Sequence, residues 1–253
     1  MLKVKITIVT ATYNSERFIA KLYENLASQT YGNWEWIIVD DCSLDNSLGL
    51  LRELKRNDPR LTVLNNEKNM GAAVSRNRAI ENASGDFIAF IDSDDLWEST
   101  KLDKQLKFML SGNYEFSFTA YSVIKEDGVH AAVHVDLDNP KDSFTYEDML
   151  CKKATLGCST VMIKNHIISD MKMPLLRTGQ DYAFWLKILR ENKTAYLLKE
   201  PLTKYRIVTG SISRNKLKKA MRQWQIYRDV ESIGFFKSCY CFMNYALRAI
   251  LRG

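Results

Sequence analysis

Residues 85–95 read Gly-Asp-Phe-Ile-Ala-Phe-Ile-Asp-Ser-Asp-Asp, and this stretch decides the fold. Phe87–Ile91 is a short apolar run that follows the turn Ser84-Gly85, with the length and composition of a strand covered on both faces. It ends directly in Asp92, Asp94 and Asp95. Carboxylates so close together repel one another, and at a buried strand end that repulsion is costly unless a cation offsets it. A hard divalent ion takes oxygen ligands and keeps waters or substrate phosphates in its remaining positions. Alone, such an acidic quartet reads as a solvated turn or a run capping a helix. Its place at the tip of a buried strand turns the reading towards function.

Working outward, strands and helices alternate. Val4–Val9 and Trp34–Val39 are β-branched or apolar runs that predict buried strands, and Leu61–Asn65 predicts a third. Between them, Asn14 or Ser15 can cap a helix that carries Phe18, Ile19, Leu22 and Leu26 at helical spacing. Ser47 to about Asn57 predicts a second helix, ended by Asp58-Pro59, and Ala72–Ala83 a third. This order implies an α/β fold with a mostly parallel central sheet flanked by helices. The second half is less regular. Glu115–Lys125, Val129–Val135 and Thr160–Ile163 predict strands, and Phe144–Asp148 opens a short helix. Asp181–Arg190 predicts an amphipathic helix, and Tyr196–Leu198 a short strand leading to Pro201.

In open α/β sheets, ligands sit outside the carboxyl ends of the strands. Three such ends carry polar residues here: Thr12, Tyr13 and Asn14; Asp40 and Asp41; and the acidic cluster. Tyr13 can stack on a base or belong to the core. Asp40 can accept the imide N–H of uracil while Asp41 caps the next helix, or both can be caps. Arg76, a turn and more past Gly71, can reach a phosphate or a carboxylate of the acidic cluster, or form a surface ion pair.

Together the segments IVTATYN, IIVDDCSLD, NMGAAVSRNRAI and GDFIAFIDSDDLW, in this order and spacing, resemble the family 2 glycosyltransferases with a GT-A fold. The resemblance is strong over about 4–110 and looser over about 150–213. It implies a Rossmann-like GT-A domain over 1–213, with a nucleotide-sugar half (about 1–110) and an acceptor half (about 111–213). It implies that Asp92-Ser93-Asp94 is the DxD motif, with Asp94 the chief ligand of Mn2+ or Mg2+ and Asp92 near the ribose or the metal. Ala11, Tyr13, Asp40, Arg76, Asp92 and Ser93 then belong to the donor pocket. The implied reaction is inverting transfer from a nucleotide diphosphate, a UDP-sugar above all, to a hydroxyl of a glycan or lipid-linked glycan in surface polysaccharide synthesis. Inversion needs a base for the acceptor hydroxyl. The family's Glu-Asp pair at a helix start is resembled by Gln180-Asp181, which departs from it in having Gln180 where Glu often stands; the resemblance makes Asp181 the candidate, although helix capping explains it too. The segment Tyr205–Ser213 resembles one that closes over the donor. It lacks the histidine common there, which leaves Arg206 or Ser211 to touch the diphosphate.

Rival classes fit less well. A nucleotidyltransferase that makes sugar nucleotides usually shows a Gly-rich basic loop after its first strand, and TATYNSERF has none. A dinucleotide-binding oxidoreductase would show GxGxxG there. A non-catalytic module binding a nucleotide or a partner stays open, and an Asp181 remote from the donor pocket would favour it.

Composition is that of a folded protein, with 46% hydrophobic and 26% charged residues among 253. The N-terminal segment shows no cleavage site and no apolar run reaches membrane-spanning length, which predicts a cytoplasmic protein. Five cysteines without CxxC spacing argue against a disulfide framework or a zinc site. His130 and His134 read as solvated residues rather than ligands. From Arg214 onward there are nine Lys/Arg against two Asp/Glu, while the remainder is nearly neutral. The main domain thus has no nucleic-acid footprint. The 214–253 tail is predicted to be a basic amphipathic helical extension suited to peripheral contact with the inner face of an anionic membrane, or to packing on the domain.

Overall fold

A computed structural model describes residues 4–208 and 216–251. In chain order it contains β1 (Ile6–Thr12), α1 (Glu16–Ala27), β2 (Trp34–Asp40), α2 (Ser47–Asn57), β3 (Leu61–Asn65), α3 (Ala72–Glu81) and β4 (Phe87–Phe90). These are the alternating elements of the first half. They are followed by β5 (Leu96–Trp97), α4 (Lys101–Ser111), β6 (Phe116–Ile124), β7 (His130–Val135), β8 (Ser143–Phe144) and α5 (Tyr146–Leu150). The chain continues through β9 (Val161–Lys164), α6 (Gln180–Arg190), β10 (Ala195–Arg206), α7 (Lys216–Gln225) and α8 (Phe235–Leu251), with a π-helical turn at Ile226–Val230.

The strands form one sheet in the order β3-β2-β1-β4-β9-β6-β10-β5, with β7 on β6 and β8 on β10. Pairing among β3, β2, β1 and β4 is parallel throughout. Beyond β4 the sheet is mixed: β9 runs antiparallel to β4 and β6, while β10 is parallel to β6. β1 lies at the centre of the parallel half, so its side chains alternate between two buried layers. Ile6 and Ile8 enter one core with Leu22, Trp36 and Trp97, whereas Val9 enters the other with Ile37, Phe90 and Trp185. Trp185 is fully buried, its ring 5.3 Å from Phe90 and 5.7 Å from Phe116.

β10 departs from the expected short strand. It continues through Pro201, with register shifts between Leu198, Pro201 and Thr203 against β6. A proline cannot donate to the ladder, and the irregularity lets the strand pass it and reach Arg206. This extension also pairs Thr203 and Lys204 with β5, directly after the acidic cluster.

The basic tail is not a detached appendage. Ile226, Tyr227 and Cys241 share the core of Phe90 and Trp185. Tyr227 donates its hydroxyl to the Leu150 carbonyl, and Arg222 donates from Nε to Thr178 Oγ1 at 3.2 Å. Among the described residues no helix is long and apolar enough to cross a membrane.

Candidate active site

Three loops meet at the carboxyl end of the parallel strands, and hydrogen bonds tie them together. After β1, Asn14 takes a left-handed φ of 49°. Its backbone N–H donates to Ser43 Oγ at 2.9 Å, and its side-chain oxygen accepts from Leu44 N at 2.7 Å. Ser15 stands at the N-cap of α1, but its hydroxyl does not cap the helix. It lies 2.8 Å from the Ser93 hydroxyl, joining the β1 loop to the acidic cluster. Tyr13 is exposed, Ala11 half-buried, and Thr12 buried with its hydroxyl unpartnered.

Asp40 is buried and accepts from the Ser43 N–H at 3.0 Å and the Ser43 hydroxyl at 2.5 Å. Its carboxylate therefore shapes its own loop. Asp41 does not cap the next helix as expected. It accepts from Asn66 Nδ2 at 2.6 Å and from the N–H groups of Met70 and Gly71 at 2.9 and 2.7 Å, fixing the entry to α3. Only a residue tolerant of positive φ suits that entry, and Gly71 has φ 90°.

α3 then presents two consecutive buried residues to opposite halves of the site. Arg76 donates from Nη2 to Asp92 Oδ1 at 2.5 Å, so the surface-pair alternative is set aside: the side chain is 7% exposed. Its Nη1 has no partner. Burial works against its charge most strongly, yet Cys158, Asp92 and Asp181 together hold its pKa above the ordinary arginine value. Asn77 clamps the segment before α6, accepting from Met173 N at 2.8 Å and donating to Met173 O at 3.1 Å. Asp181 follows in the first turn of α6, half-buried, and its charge acts on Arg76.

The three aspartates of the cluster have different environments. Asp92 is held by Arg76 and donates its N–H to Ser159 Oγ at 3.0 Å. Asp95 is buried. Its Oδ2 accepts from the Ser159 hydroxyl at 2.6 Å and its Oδ1 from Arg206 N at 2.8 Å. Burial first, then the charges of Asp94 and Asp92, push its carboxyl well above the ordinary range. Asp94 is half-buried and pushed up to about 6, by burial and then by the charge of Asp92. Among the described residues no three acidic, His or Cys side chains converge as a ready-made metal site. Two carboxylates that repel each other at a half-buried edge nevertheless suit a divalent cation that completes its coordination with phosphate and water.

Arg206 has a structural task that was not anticipated. It is buried, donating from Nε to Asp94 O at 2.7 Å and from Nη1 to Glu126 O at 3.0 Å. The guanidinium grips the backbone of the acidic turn, with those bonds spent inside the protein. Ser211, the other residue expected near the diphosphate, lies outside the described residues. Ser159 was missed because nothing local marks it: it follows Gly157-Cys158 in a short 3-10 turn before β9.

A GT-A-type sheet that carries an acidic turn at the tip of its β4 strand is the architecture of a nucleotide-sugar-dependent glycosyltransferase. Residues 7–164 match the family model for glycosyl transferase family 2, and the chain belongs to that family. A Bacillus subtilis (strain 168) protein, provisionally named teichuronic acid biosynthesis glycosyltransferase TuaG, is 41% identical over 97% of this chain and 96% of its own. The Escherichia coli UDP-Glc:alpha-D-GlcNAc-diphosphoundecaprenol beta-1,3-glucosyltransferase WfgD is 36% identical over 88% of this chain and 85% of its own. In fold, the chain matches S. aureus TarS 1-349 in complex with UDP-GlcNAc, with a TM-score of 0.71 and 20% identity over 94% of this chain and 70% of that one. It also matches the mannosyltransferase PcManGT from Pyrobaculum calidifontis, in complex with GDP-Man and Mn2+, with a TM-score of 0.73 and 17% identity over 97% and 70%.

Proposed function

We propose that the protein is a metal-dependent, inverting glycosyltransferase that moves a sugar from UDP to a hydroxyl of a lipid-linked glycan in surface polysaccharide synthesis. The observation that carries this is Arg76: buried on α3, it holds Asp92 of the acidic turn while Asp181 lies within its field. The Arg76–Asp92 ion pair, with the charge of Asp181 also acting on the guanidinium, supports reading the two carboxylates as parts of one site. Relatives named for a UDP-glucose donor and a diphosphoundecaprenol-linked acceptor support the choice of substrates.

Tyr13, Ala11 and Asp40 line the nucleotide side, with Tyr13 exposed enough to lie against a base. Asp94 and Asp92 would hold Mn2+ or Mg2+, with Ser93 beside them. Bound there, the cation offsets charge on the departing diphosphate. Asp181 takes the acceptor hydroxyl proton as the oxygen attacks the anomeric carbon from the face opposite the leaving group. Arg76 keeps Asp92 in place, and its buried Nη1 has no hydrogen-bond partner. The enzyme works at the cytoplasmic side of a membrane, touching it peripherally through the basic tail.

The test is release of UDP from a panel of nucleotide sugars, with an undecaprenyl-diphosphate-linked or shorter prenyl-linked glycan, in Mn2+ and in chelator. Release from a UDP-sugar that needs both acceptor and metal is the expected result. Acceptor-dependent transfer that persists in chelator would remove the metal from the proposal, and turnover only with another nucleotide would remove UDP.

A further inference from the structure

We infer that one face of α8 is the surface by which the protein lies on an anionic phospholipid bilayer. This deepens the peripheral contact proposed above by naming the residues that make it. Phe236, Tyr240, Met243 and Leu247 are 88%, 61%, 61% and 58% exposed. Their spacing of four, three and four residues places them on a single stripe of the helix. The opposite face is spent on the domain, with Cys241 and Ser238 buried and Phe242 packed on Trp224. The aromatic and aliphatic side chains of the stripe are thus the ones the fold leaves in water.

Charge chooses the occupant. The segment from Arg214 onward holds nine basic and two acidic residues, and Lys218 and Lys219 are exposed on α7 beside the exposed Leu217 and Met221. An exposed apolar stripe within a basic segment is the pattern of a helix lying in a lipid interface, where hydrophobic burial and attraction to anionic headgroups add. A second copy of the chain would bring two such basic segments together and is disfavoured by their repulsion. Among the described residues no helix is long and apolar enough to cross a membrane: the seventeen of α8 span about 25 Å at 1.5 Å each, short of the ~30 Å hydrocarbon layer.

The placement suits the reaction. Arg222 of α7 donates to Thr178, and the Ile226 side chain packs against Gly179, both just before Asp181. The segment that leads into the lipid-facing helix therefore buttresses the loop that carries the candidate base, so an acceptor hydroxyl displayed close to the headgroups is brought to the acceptor side of the site.

The experiment is co-sedimentation of the full chain with vesicles of phosphatidylcholine alone and of phosphatidylcholine with an equal part of phosphatidylglycerol. Light scattering in solution and UDP release in the absence of vesicles are measured in parallel. The expected result is binding to the mixed vesicles that weakens with salt. The combined variant Phe236→Ser, Tyr240→Ser, Met243→Ser, Leu247→Ser should partition at least about tenfold less, with an unchanged melting temperature. Lys218→Glu with Lys219→Glu should weaken binding to the anionic vesicles only. Equal binding by the serine variant overturns the inference, as does a wild-type protein that ignores both vesicle types. A wild-type dimer that the serine variant converts to a monomer, with vesicle binding unaffected, assigns the stripe to a second copy and overturns it too. Failure of donor turnover with vesicle binding intact would count against the proposed reaction and leave the docking face standing.

Discussion

Asp94→Asn removes one charge from a crowded carboxylate pair in which Arg76 is bonded to Asp92 and the charges of Arg206 and Arg17 only partly offset that of Asp94. In the native protein the Asp94 carboxyl titrates at about 6, against an ordinary 3.8. A tenfold change in proton affinity corresponds to about 1.4 kcal/mol, so the ionised group costs up to ~3 kcal/mol at neutral pH. Partial exposure of Asp94 screens this, leaving about 1–2 kcal/mol. The sign follows from proton binding. Between 3.8 and 6 the folded state binds more protons than the unfolded chain, so stability falls as pH rises through that window and stays lower above it. Without metal, Asp94→Asn is therefore expected to melt about 3–6 °C above wild type at pH 7.5. The gain should shrink towards pH 4. Adding Mn2+ with UDP should raise the wild-type melting temperature at pH 7.5 and leave the variant unmoved. Differential scanning fluorimetry over a pH series measures both. A variant less stable than wild type at pH 7.5 without metal would mean that the protein already satisfies this carboxylate, and the argument for a cation would fail with it.

Asp181→Asn keeps the helix start and the shape of the site but removes the base, and transfer should fall by at least about a hundredfold with UDP affinity, read by calorimetry, unchanged. Arg76→Ala leaves Asp92 without its partner, and urea denaturation should show a loss of about 2–3 kcal/mol, since Asp92 keeps some solvent contact. Asn77→Ala unties Met173, costing about 1–3 kcal/mol; hydrogen exchange should accelerate over 171–178, and kcat should fall more than donor binding. Gly71→Ala meets no neighbouring atom within 4 Å, so a loss of about 1–3 kcal/mol would report the positive φ alone.

The parallel half was legible because a strand buried on both faces is written as a continuous apolar run, and its polar tip follows in sequence. Ile6–Thr12, Trp34–Asp40 and Phe87–Phe90 lie where those runs predict, and the polar residues that follow them converge. The mixed half was less legible. Pro201 signals a strand end locally, but the pairing of β10 with β6 on one side and β5 on the other carries the strand past it. Hydrogen bonds between distant residues were hidden for the same reason. Asp41 faces two chemically adequate sets of N–H groups, those of α2 and those of the loop before α3, and only the packed loop at 66–71 decides between them. Arg206 looks like a phosphate ligand in sequence, since a guanidinium serves carbonyls and phosphates alike. Ser159 has no signature at all: a serine becomes the bracket of the acidic turn only when β9 arrives beside β4.

The grip on Asp95 also bears on when this enzyme can become one. A nascent chain that has emerged only to residue 110 contains every nucleotide-side segment, from the first strand to the acidic turn. The two groups that hold Asp95, the hydroxyl of Ser159 and the N–H of Arg206, lie 64 and 111 residues further along. Until they arrive, a carboxylate destined for burial is left in water, and the backbone of Asp94 lacks the guanidinium that fixes it. Synthesis of the final long strand thus completes the acidic turn. A chain that stops short of β9 and β10 leaves the acidic turn without the three bonds that fix it.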